Sequence, residues 1–160
     1  MPVYNSQAFA NVPGGHQITH AVLASNGPIL DISVSIPQAL ANLYARQQIP
    51  LPSPITGIAL IDTGATRSCV HRPIMSQLGV NPIGVVTTGT AAGPASHNLF
   101  PTHFTFPAAG IDLDFSAVAG VDLSGQIING QQLIALIGRD VLSRGIFVYN
   151  GPLGAFTFAM

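Results

Sequence analysis

The chain contains no lysine, no glutamate and no tryptophan, and only one cysteine, Cys69. Its five basic residues are all arginine and its six acidic residues all aspartate, so the charges nearly cancel. No basic tract exists, which excludes the electrostatic footprint of a nucleic-acid-binding surface. A single cysteine excludes an intrachain disulfide and a metal site built on several cysteines of one chain. No apolar segment approaches the ~20 residues needed to span a bilayer, and no basic stretch followed by an apolar run opens the sequence. A cytoplasmic protein without a membrane segment is the expectation. With 48% of its 160 residues apolar and only 7% charged, the chain is too hydrophobic for disorder and long enough to bury one core.

What is present is mostly β patterning. Residues 1–26 show little periodicity and contain Pro13-Gly14-Gly15; they read as an N-terminal extension with one short strand at most, around His16–Leu23. Leu30, Ile32, Val34 and Ile36 alternate with Asp31, Ser33 and Ser35, which predicts a strand with one buried face. Ile36, Leu40, Leu43 and Tyr44 then recur at helical spacing behind Pro37, and Pro50, Pro52 and Pro54 end that helix. Ile58–Ile61 is a short apolar run, and His71–Leu78 reads as a short helix stopped by Gly79. Residues 87–98, rich in Thr, Gly, Ala and Ser, suit a hairpin tip or mobile loop. Alternation over Phe100–Phe106 and Ile111–Ala117 gives two strands about a turn at Pro107–Gly110. Leu133–Ile137 is a strand buried on both faces, Arg139–Arg144 is helix-compatible, and Asn150-Gly151 suits a two-residue turn in a closing hairpin. About eight short strands with two or three small helices predict one mostly-β domain over residues 27–160, a closed barrel or a sandwich.

One triplet carries chemistry. Asp62-Thr63-Gly64 follows the apolar run Gly57–Ile61, and a carboxylate at the end of a buried strand is costly unless it is paired or functional. Gly64 lets another backbone approach, and the Thr63 hydroxyl can both donate and accept. Alone, such a triplet is more often a strand-end turn. A second segment, Leu136-Ile137-Gly138-Arg139-Asp140, pairs a buried run with a glycine and a short helix, its glycine 76 positions after Asp62.

Together these segments resemble the retropepsin-like aspartic proteases, bacterial members included. Ile61-Asp62-Thr63-Gly64-Ala65-Thr66 resembles the catalytic loop of that family. His71–Val80 resembles the helix and turn that follow it. Residues 87–98 fall where the family has its flap, Gly89 lying 27 residues after Asp62, and Leu136–Leu142 resembles the second conserved block. The resemblance covers roughly residues 27–160. It implies a closed β-barrel with a few short helices and an aspartic endopeptidase that acts on polypeptides without cofactor or metal. One Asp-Thr-Gly loop per chain implies a homodimer, the commonest closed assembly, in which two Asp62 carboxylates share a proton and activate a water. It further implies Asp62, Thr63 and Gly64 as catalytic residues, with Ala65, Thr88, Gly89, Thr90 and Ile137 against substrate and Gly138 and Arg139 in support. Thr66 stands where viral members carry an acid, so Arg139 needs another partner, Asp140 or a carbonyl. Ala65 cannot donate a hydrogen bond to Asp62, so an acidic but not extreme pH optimum is expected.

The rival from another class is a non-catalytic peptide-binding or dimerisation domain on the same fold. His16 and His20 are four apart but lie in a segment unsuited to a helix, so no metal site is expected there. Cys69 reads as a buried, inert thiol, His97 as a loop residue near the flap, and Asp112 and Asp114 as facing water. The apolar, uncharged end Gly154–Met160 reads as an exposed strand that pairs with a second copy.

Overall fold

The computed structural model describes residues 1–18, 20–90 and 93–160. Strands β1 (Val3–Gln7), β2 (Phe9–Val12) and β3 (Gly15–Ile18) precede helix α1 (His20–Asn26), strand β4 (Ile29–Ser35) and helix α2 (Gln38–Arg46). Strands β5 (Ile55–Ile61) and β6 (Cys69–His71), helix α3 (Arg72–Gln77), and strands β7 (Gly84–Thr90), β8 (Gly93–Phe106) and β9 (Ile111–Val121) form the middle of the chain. Strands β10 (Ile127–Ile128) and β11 (Gln131–Ile137), helix α4 (Arg139–Leu142), and strands β12 (Ile146–Asn150) and β13 (Ala155–Ala159) complete it. Strand accounts for 49% of the chain and helix for 17%, so the protein is mostly β.

Six strands close on themselves in the order β4, β5, β11, β6, β9, β8 and back to β4. The closed barrel and the few short helices are those expected from the sequence. The alternation in β4 does what its pattern requires: Leu30, Ile32 and Val34 are buried and Asp31 is exposed. Phe104 and Phe106 of β8 are likewise buried, each such ring contributing ~1.5–3 kcal/mol relative to exposure. Pro101 has no amide to donate and sits at the register shift between β8 and β9, where a missing ladder bond is tolerated. After α3 the amides of Gly79 and Val80 bond back to the Ser76 and Met75 carbonyls, and Gly79 takes φ +69°, so the helix stops where the sequence indicates.

Several details depart from the sequence reading. The described residues hold thirteen strands and four helices rather than about eight and three. The segment around His16–Leu23 is β3 followed by α1, with Thr19 and the His16 side chain outside the described residues. Residues 1–26 are tied into the domain: β1 pairs with β13, and Leu23 of α1 is fully buried. The closing hairpin turns through four residues, since Asn150 pairs with Ala155, and the Asn150 side chain accepts from the Leu153 amide at 3.2 Å. Residues 87–98 extend a hairpin, β7 pairing with β8 from Gly84↔Leu99 to Thr90↔Gly93.

The largest departure concerns the C-terminal strand. β13 is not an exposed edge but the middle of a three-stranded sheet, β1-β13-β12. Phe156 and Phe158 are already buried within the chain, against Tyr4 and Phe147 in one case and Phe106 in the other. Both hydrogen-bonding edges of the strand are satisfied by the chain's own β1 and β12, which leaves no vacancy for a second copy of this strand.

Candidate active site

Parallel pairing of β5 with β11 positions the Asp62 loop. Ile61 lies opposite Ile137 in that ladder, and the Asp62 amide continues it by donating to the Ile137 carbonyl at 2.9 Å. The carboxylate of Asp62 then folds over its own loop. Its Oδ1 accepts from the Gly64 amide at 2.9 Å and from the Ala65 amide at 3.2 Å. Among the described residues no group bonds to Oδ2. A side chain on residue 64 would bring its Cβ within 3.1 Å of Oδ1, so glycine keeps the carboxylate uncrowded.

Arg139 fastens this loop from the far side. Its Nη1 donates to the Thr63 carbonyl at 2.8 Å and the Gly64 carbonyl at 3.0 Å, its Nη2 to Thr66 Oγ1 at 2.9 Å, and its amide to the Ala65 carbonyl at 3.0 Å. The sequence left Asp140 or a carbonyl as the partner of Arg139; carbonyls and a hydroxyl take that place. Asp140 serves a second joint. Both its carboxylate oxygens accept from the Ser68 amide at 3.0 Å, and Oδ1 also accepts from the Ser68 hydroxyl at 2.8 Å. The Ser68 hydroxyl in turn accepts from the Gly138 amide at 3.0 Å. Gly138 is required here by close approach, because a Cβ would lie 2.6–2.9 Å from backbone atoms of Arg67 and Ser68.

The loop forms one wall of an open cleft of about 670 Å³. Asp62, Gly64, Ala65, Thr66, Arg67 and Cys69 line that wall, Val86–Gly89 and His97 of the β7–β8 hairpin face it, and Ala119 and Val121 of β9 close the end. Asp62, Gly64, Ala65, Thr88 and Gly89 of the sequence-derived set thus meet at one cleft. Thr63 is exposed beside it, and Thr90 ends β7 with its side chain outside the described residues. Ile137 departs from the set. Its side chain is fully buried in the core, so it holds Asp62 through its carbonyl rather than facing the cleft.

The sequence reading did not assign Arg67, Val86, Ala119 or Val121 to the site. For Arg67 a signal existed, its place five residues after Asp62 in the same loop; the strand residues converge only through the barrel. Cys69, read as buried, is half-buried at the cleft, and burial pushes its thiol up to about 11, with Asp140 and Asp62 adding repulsion. Asp112 and Asp114 do face solvent, where they bracket His103 at 3.3 and 2.8 Å. Among the described residues no group of His, Cys and Asp side chains is arranged to hold a metal ion. No helix among them is long and apolar enough to cross a membrane.

No family model matches the chain, and no curated protein matches it. Among solved structures the chain is similar to a retropepsin-like aspartic protease from Rickettsia conorii, with 15% identity, a TM-score of 0.48, and coverage of 98% of this chain and 90% of that one. It is also similar to the protease of simian foamy virus (mac), with 13% identity, a TM-score of 0.42, and coverage of 72% and 92%.

Proposed function

We propose that the chain is a retropepsin-like aspartic endopeptidase in which two copies each contribute one Asp62. The observation that carries this reading is the state of that side chain. It lies at an open cleft with Oδ1 fixed by two backbone amides and Oδ2 without a partner among the described residues. A carboxylate held this way is oriented and free to exchange a proton. One carboxylate cannot both take a proton from water and polarise a carbonyl, so a second must come from another molecule. The exposed Thr63-Gly64 tip is the part of the loop that can approach its twofold mate.

In such a pair the two like charges favour a singly protonated state, as is established for aspartic-protease dyads. The ionised Asp62 takes a proton from a water as its oxygen attacks the scissile carbonyl carbon. The protonated Asp62 donates to the carbonyl oxygen, giving a tetrahedral diol. As the C–N bond breaks, the departing amine takes a proton from the first carboxyl and the second carboxylate takes one back from a diol hydroxyl, which restores the singly protonated pair; no acyl-enzyme forms. Thr63 links the two loops across the axis. Gly64 offers its carbonyl to substrate, sharing it with Arg139, and Ala65, Thr88, Gly89 and Thr90 line the bound peptide. Gly138 and Arg139 hold the loop, and the β7–β8 hairpin acts as the flap.

Incubation with a mixed peptide library, followed by mass spectrometry, tests the reading. Internal peptide bonds should be cut by the wild type and not by Asp62→Asn, which keeps the shape and the Oδ1 acceptor but cannot serve as base. Sedimentation should give a dimer whose dissociation on dilution tracks the loss of activity. Undiminished cleavage by Asp62→Asn, or full activity in a demonstrated monomer, would overturn it.

A further inference from the structure

We infer that the cleft selects a peptide with an acidic side chain beside the bond to be cut, and that Arg67 is the residue that recognises it. The inference rests on the proposed peptidase reading and adds a substrate class to it. Arg67 lines the cleft wall next to the Asp62 loop and is exposed. Its guanidinium makes no ion pair or hydrogen bond among the described residues. Arg139, by contrast, spends its guanidinium on three oxygens of the loop. The opposite wall presents His97, whose ring also has no partner among the described residues and carries an N–H donor in either charge state.

The rest of the lining is small or uncharged, and Asp62 is its one acidic residue among the described residues. A substrate ammonium group would therefore meet Arg67 with nothing but Asp62 to bind it, and Asp62 is committed to catalysis. A substrate carboxylate meets a planar donor fork whose geometry matches it, with a second donor across the cleft. Arg67 also has no structural duty that would explain a cation at this point: its backbone lies close against Gly138, but its side chain holds nothing among the described residues.

Two measurements separate this inference from the reading beneath it. In the first, the best-cut library peptide is remade with Glu, Gln or Lys at each position flanking the cut bond, and the Glu-to-Lys ratio of kcat/KM is taken, which cancels any general loss of activity. At one flanking position the wild type should favour Glu about tenfold, the size expected when a part-exposed ion pair is turned into like-charge repulsion. Arg67→Gln should bring that ratio near one and Arg67→Glu should invert it. In the second, a library peptide chosen by its binding to the Asp62→Asn protein, and so independently of cleavage, is fluorescently labelled, remade with Glu, Gln or Lys at each position and titrated into that protein, where the Glu-to-Lys ratio of affinities should show the same preference and lose it with Arg67→Glu. Absence of Asp62-dependent cleavage would sink the peptidase reading and leave the binding ratio to decide the inference. A ratio near one at every position, a ratio unaffected by Arg67→Glu, or no binding of any of these peptides would overturn it.

Discussion

Replacing Asp140 with alanine tests the joint that holds the Asp62 loop to the barrel. Ser68 is fully buried, and its amide and hydroxyl both donate to the Asp140 carboxylate. Removing that acceptor strands two buried donors, each costing ~1–3 kcal/mol when unsatisfied. Asp140 is itself only partly buried, so water can reach part of the vacated site, and the expected loss is about 3 kcal/mol. For a domain of this size that corresponds to a fall in Tm of roughly 6–12 °C. Asp140→Asn should fall between: it keeps an oxygen at the Oδ1 position but turns an amide donor toward the Ser68 N–H. Thermal unfolding followed by circular dichroism, checked by urea titration, reads the effect. A double-mutant cycle with Ser68→Ala should give a coupling of about 1 kcal/mol or more, because the residues touch directly. A Tm change under about 2 °C for Asp140→Ala, or strict additivity with Ser68→Ala, would refute the assignment.

Deleting Phe156–Met160 should cost the fold itself, because it removes most of a central strand and two buried rings worth ~1.5–3 kcal/mol each; a truncated protein with native circular dichroism and Tm would contradict this. Cys69 should alkylate slowly at pH 7–8 and accelerate only as the pH approaches its raised value of about 11, since the thiolate is the reactive form; iodoacetamide labelling followed by intact mass measures it, and fast labelling at pH 7 would show that the thiol is not shielded. Residues 84–90 and 93–98 pair across one hairpin and should exchange amide hydrogens faster than β4, β5 and β11, slowing when peptide binds; protection equal to the barrel strands in the free protein would rule out a moving flap.

Elements with a strong local period were readable in the sequence. The alternations of β4, β8 and β9 match their burial, and in the uninterrupted run Leu133–Ile137, read as buried on both faces, every residue is buried except the half-buried Leu136. The Asp62 loop was readable for a different reason: an acid directly after a buried run has few physical justifications. What stayed hidden depends on partners distant in sequence. Nothing in Ala155–Ala159 says whether its edges are met by Val3–Gln7 and Ile146–Asn150 or by another copy, because an apolar strand looks the same in either case. β6 and β10, at three and two residues, are too short to display a period. For Arg139 the kind of anchor, a carbonyl, was foreseen, but not which ones, since every residue of a sequence carries a backbone carbonyl.

The pairing of β5 with β11 also sets an order of events. Asp62 hangs from the carbonyl of Ile137, 75 residues later in the chain, and its loop is fastened by Arg139 and by Ser68 bonded to Asp140. A growing polypeptide therefore has no scaffold for this loop until about residue 140 has emerged, however well its earlier hairpins have formed. Long-range closures of this kind form late, after the entropy of the intervening chain has been lost. The site is thus acquired late, and a chain cut short before β11 would be made without it.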